Sequence, residues 1–291
     1  MRVLLTGASG FLGQHVLKRL HACGIDTVAV GRTLPANCLH ANFKKLDLLG
    51  CPSFDDLVAD VGATHLLHLA WYAEHGSYWA SSLNLRWTEA SVRLVESFCQ
   101  SGGQKVVVAG TCAEYDWAHG YCYEDLTPLN PGTLYGVSKD ATRRLTIAVC
   151  TKYKVDFAWG RIFLPYGQGE DSRRLIPSLM AVFQGKRQPF GINAAAYRDF
   201  LFADDLALGF IKLLQTDSTG AYNICSGQPV QLMELVRRLA EFYEADPQVI
   251  LGLSTEHPSG PLILVGNNQK LRALGWQPQH SLSDMPKSLE L

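Results

Sequence analysis

The sequence predicts an α/β protein: a doubly wound parallel sheet followed by a smaller C-terminal lobe. Three observations carry this. A strand, a glycine turn and a helix follow one another from the first residues. Short apolar runs then alternate with helical patterns as far as residue 162, which is the signature of a parallel sheet covered on both faces. From Phe163 the character changes, with Pro165, Gly167, Gly169, Pro177, Pro189 and Gly191 breaking the chain into short elements.

Residues 2–5 form an apolar run that ends at Thr6-Gly7-Ala8-Ser9-Gly10-Phe11-Leu12-Gly13. Phe11, Leu12, Val16, Leu17 and Leu20 then share one helical face, and the pattern stops near Gly24. A second apolar run, residues 27–30, ends at Gly31-Arg32. Strand, glycine turn, helix and strand make the βαβ unit of a Rossmann-type dinucleotide site. Its glycines fit a tight turn, close approach of a pyrophosphate, and helix N–H groups aimed at that pyrophosphate. Residues 46–48 read as the close of a third strand, where Asp47 could bond an adenine amine or cap a turn. Residues 65–70 read as a fourth strand, and the aromatic stretch 71–78 as a loop beside the cofactor. A long helix over about 79–101, a fifth strand over 105–110 ending at Thr111, a helix from Thr133 to about 153 and a sixth strand over 156–162 follow. The dinucleotide domain is therefore placed at 1–162, with 199–216 returning to it. The smaller lobe takes 163–198 and 217–291, with a helix over 231–243 and short helical pieces around Leu271 and Leu282.

Composition narrows the class. The 291 residues are 47% hydrophobic and 18% charged, with a net charge of −1, which gives a sizeable core and no electrostatic footprint for nucleic acid. No apolar run is long enough to span a bilayer, and the opening residues resemble no signal peptide. The eight cysteines are scattered and form no Cys-x-x-Cys pair, so reduced thiols in the cytoplasm are expected, several of them as small core residues. His65 and His68 have no acidic or thiol partner at metal spacing, and no metal is expected.

Chemistry centres on Tyr135-x-x-x-Lys139, which shares one face of a helix. A lysine ammonium beside a phenol draws the tyrosine pKa toward neutrality, which suits proton exchange at a carbonyl or hydroxyl. Arg32 stands at the end of the second strand, where an arginine favours a 2′-phosphate and a carboxylate favours a ribose hydroxyl. NADP(H) is thus favoured, with NAD(H) as the alternative.

The chain resembles the extended short-chain dehydrogenase/reductases of the NAD-dependent epimerase/dehydratase family, which act on nucleotide sugars. The resemblance rests on Thr6-Gly7-x-x-Gly10-Phe11-x-Gly13, Asp47-Leu48, His68-Leu69-Ala70 and Tyr135-x-x-x-Lys139. It also rests on Arg161-x-x-x-x-Tyr166-Gly167-x-Gly169, Arg198-Asp199-Phe200-Leu201-Phe202-x-x-Asp205 and Tyr222-Asn223-Ile224-x-Ser226-Gly227. The short length and Leu274-Gly275-Trp276 look like the 4-ketoreductases of the group, such as paratose synthase.

The resemblance implies that Thr111 bonds the reacting oxygen, Tyr135 is the acid/base and Lys139 holds the nicotinamide ribose. It implies cofactor contacts at Gly7, Ser9, Gly10, Phe11, Leu12, Gly13, Arg32, Asp47, Leu48, Leu69, Ala70 and Trp71. The family's dehydratases carry Asp-Glu after the threonine; Cys112-Ala113 stands here, which argues against 4,6-dehydration. Glu114 is placed either on a sugar hydroxyl or in a solvated loop. Arg198, with Arg173 or Arg174 next, is expected on the diphosphate, where an arginine fork suits phosphate geometry. Arg161 could be structural, and His75 and Trp79 are expected to line the sugar pocket. The reading is a 4-ketoreductase of a nucleotide sugar; the alternatives are a 4-epimerase with tightly bound NAD and a non-catalytic sensor. A homodimer through helices 79–101 and 134–153 is plausible, as in many relatives.

Overall fold

The computed structural model describes residues 1–35, 42–254 and 260–282; Cys38 and the last nine residues of the C-terminal lobe lie outside them. Strands β1 (Arg2–Thr6), β2 (Asp26–Gly31), β3 (Asn42–Lys45), β4 (His65–His68) and β5 (Lys105–Thr111) build most of the large sheet. The short β6 (Tyr121–Cys122) lies outside it, and β7 (Asp156–Ile162) rejoins it. Strands β8 (Leu164–Tyr166), β9 (Tyr197–Arg198) and β10 (Phe200–Phe202) follow in the smaller lobe, then β11 (Gly220–Ile224), β12 (Val230–Gln231) and β13 (Ile263–Gly266). The large sheet has seven strands in the order β11-β7-β5-β4-β1-β2-β3, all in parallel register. The order reverses between β1 and β4, and their C-terminal ends open the crevice in which such sheets bind ligands.

Nine helices are present among the described residues: α1 (Phe11–Ala22), α2 (Asp55–Val61), α3 (Leu83–Gln100), α4 (Leu134–Tyr153), α5 (Leu175–Phe183), α6 (Ala203–Gln215), α7 (Leu232–Phe242), α8 (Gln248–Leu251) and α9 (Gln269–Ala273). One face of the sheet is covered by α1 and α6, with Val16, Leu17, Leu20, Leu206 and Phe210 packed on Leu5, Ala29 and Leu67. The other is covered by α2, α3 and α4, with Val58, Leu94, Phe98 and Cys150 packed on Leu4, Val28, Leu66 and Val106. Both faces of the inner strands are buried, which is why those strands read as unbroken apolar runs rather than alternating ones. The smaller lobe has its own core, in which Ile176, Leu179, Leu235, Val236 and Ile250 pack together.

Three expectations are corrected. The third strand ends at Lys45, before Leu46-Asp47-Leu48; Asp47 turns the chain there, accepting the Leu49 N–H at 3.2 Å. The long helix begins at Leu83 rather than near 79, because Asn84 diverts the preceding backbone, donating from Nδ2 to the Tyr78 and Ser81 carbonyls at 2.7 and 2.9 Å. Residues 220–224, assigned above to the smaller lobe, form the seventh strand of the large sheet against β7. Ile224 is fully buried beside Phe210, so the apolar run is spent on the main core.

The ends of β1 and β4 are tied by a buried polar chain. Thr6 Oγ1 accepts the Ala70 N–H at 3.2 Å and bonds His68 Nδ1 at 2.7 Å, while His68 Nε2 bonds Ser91 Oγ of α3 at 2.8 Å. Burial, reinforced by the charge of Lys139, lowers the His68 pKa from 6.5 to about 3. The unfolded chain then binds the proton more tightly between those two values, so stability falls as pH drops through that window. The largest loss this one group can impose is about 5 kcal/mol. Thermal melts from pH 7.5 to 4 are expected to show a decline that is shallower in His68→Gln; an equal slope in both proteins would refute the assignment.

Candidate active site

The cofactor cleft starts at the end of β1. Gly7 has φ +76°, and a Cβ there would sit 2.7 Å from the Ala70 amide nitrogen. A Cβ on Gly13 would meet the Gly7 carbonyl oxygen at 2.0 Å, so α1 can enter this close to the loop only as glycine. No side chain caps α1 at Gly10, which leaves its first amides for an anion. The cleft, about 450 Å³, brings together Gly7, Ser9, Gly10, Phe11, Leu12, Gly13, Arg32, Asp47, Leu48, Leu69, Ala70, Trp71, Tyr135 and Lys139. Tyr78, at the end of the 71–78 loop expected beside the cofactor, lines it too, and it also holds residues not anticipated, among them Trp87, Ala109, Ile162 and Asp171. Ala109 and Ile162 were findable, since both lie near the C-terminal ends of parallel strands. Trp87 and Asp171 carry no such signal.

Helix α4 delivers the tyrosine and the lysine. Thr133 caps it, its Oγ1 accepting the Gly136 N–H at 3.1 Å. The Tyr135 N–H donates to the Trp79 carbonyl at 3.1 Å, which locks the first turn against the 71–82 loop. Lys139 is buried; its Nζ donates to the Ala109 carbonyl at 2.9 Å and lies 3.9 Å from the centroid of the Trp71 ring. Burial lowers the Lys139 pKa to about 7, against the opposing charge of Glu114.

The expected fall of the Tyr135 pKa toward neutrality is not seen. Burial pushes it up, and the hydrogen bond from Thr111 opposes that only in part. The phenol is edge-on to Tyr78 and Trp79, with centroids 4.9 and 5.7 Å away. Packed edge-on against these rings a phenolate is poorly solvated, and the ammonium that would favour it donates to the Ala109 carbonyl.

Glu114 does not face a sugar and is not in a solvated loop. It is wholly buried and lines neither cavity. Its Oε1 accepts the Thr111 N–H at 2.8 Å and the Trp159 Nε1–H at 2.8 Å, and its Oε2 accepts from Arg161 Nε at 2.8 Å. The Thr111 hydroxyl in turn accepts the Ala113 N–H, so the two side chains form a capping box over the short helix Cys112–Glu114. Arg161 is therefore structural: it is 1% exposed, and its Nη1 also donates to Tyr115 Oη at 3.0 Å.

A second cavity of about 520 Å³ adjoins the first across Tyr135. Thr111, Cys112, Tyr78, Trp79 and Trp117 wall it, and Arg174 and Arg198 supply its cations. Arg174 lines both cavities and is held by Glu170 at 3.0 Å. Arg198 donates to the Tyr197 carbonyl at 2.8 Å, and burial lowers its pKa. Arg173 lines neither cavity and pairs instead with Asp171 at the cofactor cleft. His75 was expected in the sugar pocket but lines the cofactor cleft, because the 71–78 loop runs beneath that cleft before Trp79 turns into the second cavity. Burial drives the Cys112 thiol pKa up, so it is no base. Among the described residues no group of three or more His, Cys, Asp or Glu could hold a metal ion, and no helix is long and apolar enough to cross a membrane.

A glycine cradle at the switch point of a parallel sheet, opening onto a Thr-Tyr-Lys set, defines an extended short-chain dehydrogenase/reductase. The chain belongs to the NAD dependent epimerase/dehydratase family, whose model matches residues 3–225. It is 24% identical over 241 residues to the dTDP-6-deoxy-L-talose 4-dehydrogenase (NAD(+)) of Aggregatibacter actinomycetemcomitans, covering 81% of this chain and 88% of the relative. It is 22% identical over 303 residues to the CDP-abequose synthase of Salmonella typhimurium, covering 99% and 96%. The structure of MoeE5 in complex with UDP-glucose and NAD superposes with a TM-score of 0.84 at 25% identity, covering 99% of this chain and 97% of that one.

Glu114→Ala is expected to destabilise the fold by roughly 3–5 kcal/mol, because it strands the buried Arg161 guanidinium. Urea denaturation measures this. A stability within about 0.5 kcal/mol of wild type, with the change confined to substrate KM, would instead return Glu114 to the sugar.

Proposed function

We propose that the protein reduces a 4-keto-(6-deoxy) nucleotide sugar with NADPH. The observation that carries this reading is the state of Tyr135. Its ring lies edge-on to Tyr78 and Trp79, burial raises its pKa, and it stands next to Thr111, with Cys112 and Ala113 where a dehydratase needs carboxylates. A phenol that keeps its proton is poised to give it to a ketone oxygen.

The described residues fit a nicotinamide dinucleotide: a cradle that a Cβ would fill at Gly7 and Gly13, and free amides at the start of α1. When bound, the nicotinamide supplies the hydride. The amides of residues 11–13 would hold the pyrophosphate, and Lys139 a ribose hydroxyl. Arg32 is exposed at the end of β2 and lines the cleft, which supports contact with a 2′-phosphate. Thr111 orients the ketone oxygen and Tyr135 protonates it. Arg174 and Arg198 pair with the diphosphate, and the aromatic wall suits a deoxy carbon better than a hydroxyl, which would be left without a partner. The outer surfaces of α3 and α4 expose Leu85, Val137 and Leu145, which suits a homodimer.

Anaerobic incubation with NADPH and a set of 4-keto-6-deoxy nucleotide sugars is expected to oxidise NADPH. No oxidation with any of them, together with interconversion of two sugars on tightly held NAD, would establish the epimerase instead. Arg32→Ala is expected to lower kcat/KM for NADPH by about tenfold or more, the loss of one charged contact, and to leave NADH nearly unchanged. Equal effects on both cofactors would remove Arg32 from the 2′-phosphate.

A further inference from the structure

Lys139 is a cation without a carboxylate. Among the described residues no acidic side chain forms an ion pair with it; its contacts are the Ala109 carbonyl at 2.9 Å and the face of Trp71 at 3.9 Å from the centroid. Trp71 is itself fixed from two directions. Its Nε1–H donates to Asn84 Oδ1 at 2.8 Å, and Asn84 is fully buried and anchored to the Tyr78 and Ser81 carbonyls. Its ring stacks on Trp87 of α3, with centroids 6.3 Å apart and planes 29° from parallel. An indole held this firmly cannot turn away from the ammonium.

We propose that Trp71 is the positioning residue of the catalytic lysine, its indole face serving as the surface that holds the Lys139 ammonium at the floor of the cofactor cleft. The proposal rests on the reading of Lys139 as catalytic. An ammonium has three donors, and one of them is spent on Ala109. The ring quadrupole attracts the cation without accepting a directed hydrogen bond, which leaves the remaining donors for ribose hydroxyls. A carboxylate in the same place would compete for them. Several other groups bear on the lysine. Glu114, from the turn after β5, supports its charge; His68, at the end of β4, stays neutral; Tyr135 lies one turn earlier on α4. Trp71 is the aromatic face among these groups, and in a desolvated site such a face stabilises the cation by an amount equal to about one pH unit or more.

The test is lysine ¹³C NMR on the cofactor-free protein, with the Lys139 signal assigned by its loss in Lys139→Met. The wild-type ε-methylene signal is expected upfield, shielded by the indole, and to titrate near neutrality. In Trp71→Leu the shielding vanishes and the midpoint falls by about one pH unit or more, while Trp71→Phe keeps part of both. In turnover, the alkaline limb of kcat is expected to move down by the same amount in Trp71→Leu. A Lys139 signal with no ring shielding in wild type, or an unchanged titration in a folded Trp71→Leu or Trp71→Phe, overturns the proposal. A kcat lowered equally at every pH also overturns it. Because the NMR readout needs no substrate, it decides the role of Trp71 even if no keto-sugar is reduced. Conversely, reduction with an unchanged lysine titration would leave the proposed activity standing and remove only Trp71.

Discussion

The site depends on one buried carboxylate. Glu114 accepts the Thr111 backbone N–H, the indole N–H of Trp159 and the Arg161 guanidinium within 2.8 Å each, at the point where β5 and β7 end together. A buried carboxylate must fill its lone pairs from the protein, and here its hydrogen-bond donors come from β5 and β7, with Arg143 of α4 as a further cation at 3.9 Å. The same ion pair extends outward. Arg161 Nη1 reaches Tyr115 Oη, whose hydroxyl donates to Asn223 of β11 at 2.7 Å. Asn223 then donates to the Cys122 and Asn267 carbonyls at 3.0 Å, which ties the smaller lobe to the sheet. Thr111 is therefore held by its own backbone rather than by whatever binds beside it.

Dryness governs the chemistry that this frame permits. Burial opposes charge on both members of the Tyr135–Lys139 pair: the phenol is kept protonated and the lysine is brought to about 7. The two shifts share one first cause, the burial of each group, in a site lined by Tyr78, Trp79, Trp71 and Trp117. An acid that holds its proton and a cation held by a π face suit delivery of a proton to an oxygen that gains charge as it is reduced.

Much of the scaffold was legible in the chain. The strand–glycine–helix start, the parallel order implied by alternating elements, and the helix that places Tyr135 four residues before Lys139 all follow from local periodicity and turn chemistry. The cofactor positions were legible for the same reason, since parallel strands open their C-terminal ends at one edge. What failed was any assignment that needed to know which residue sits opposite. Glu114 looks like a loop carboxylate until β7 supplies Arg161 and Trp159 from 45 residues or more away. The tyrosine pKa was argued from its spacing to the lysine, but the Ala109 carbonyl and the Trp71 face draw the ammonium elsewhere.

By itself, the sequence determined the fold class, the glycine cradle and the placing of Tyr135 and Lys139 on one helix face, because each depends on spacing within one element or one turn. Only the tertiary structure decided three things: that residues 220–224 complete the large sheet, that Glu114 supports Thr111 instead of a sugar, and that burial raises rather than lowers the Tyr135 pKa. These are matters of solvent exclusion and long-range pairing. Whether a charge is solvated, paired or stranded is set by segments far apart in the chain, and no local pattern records it.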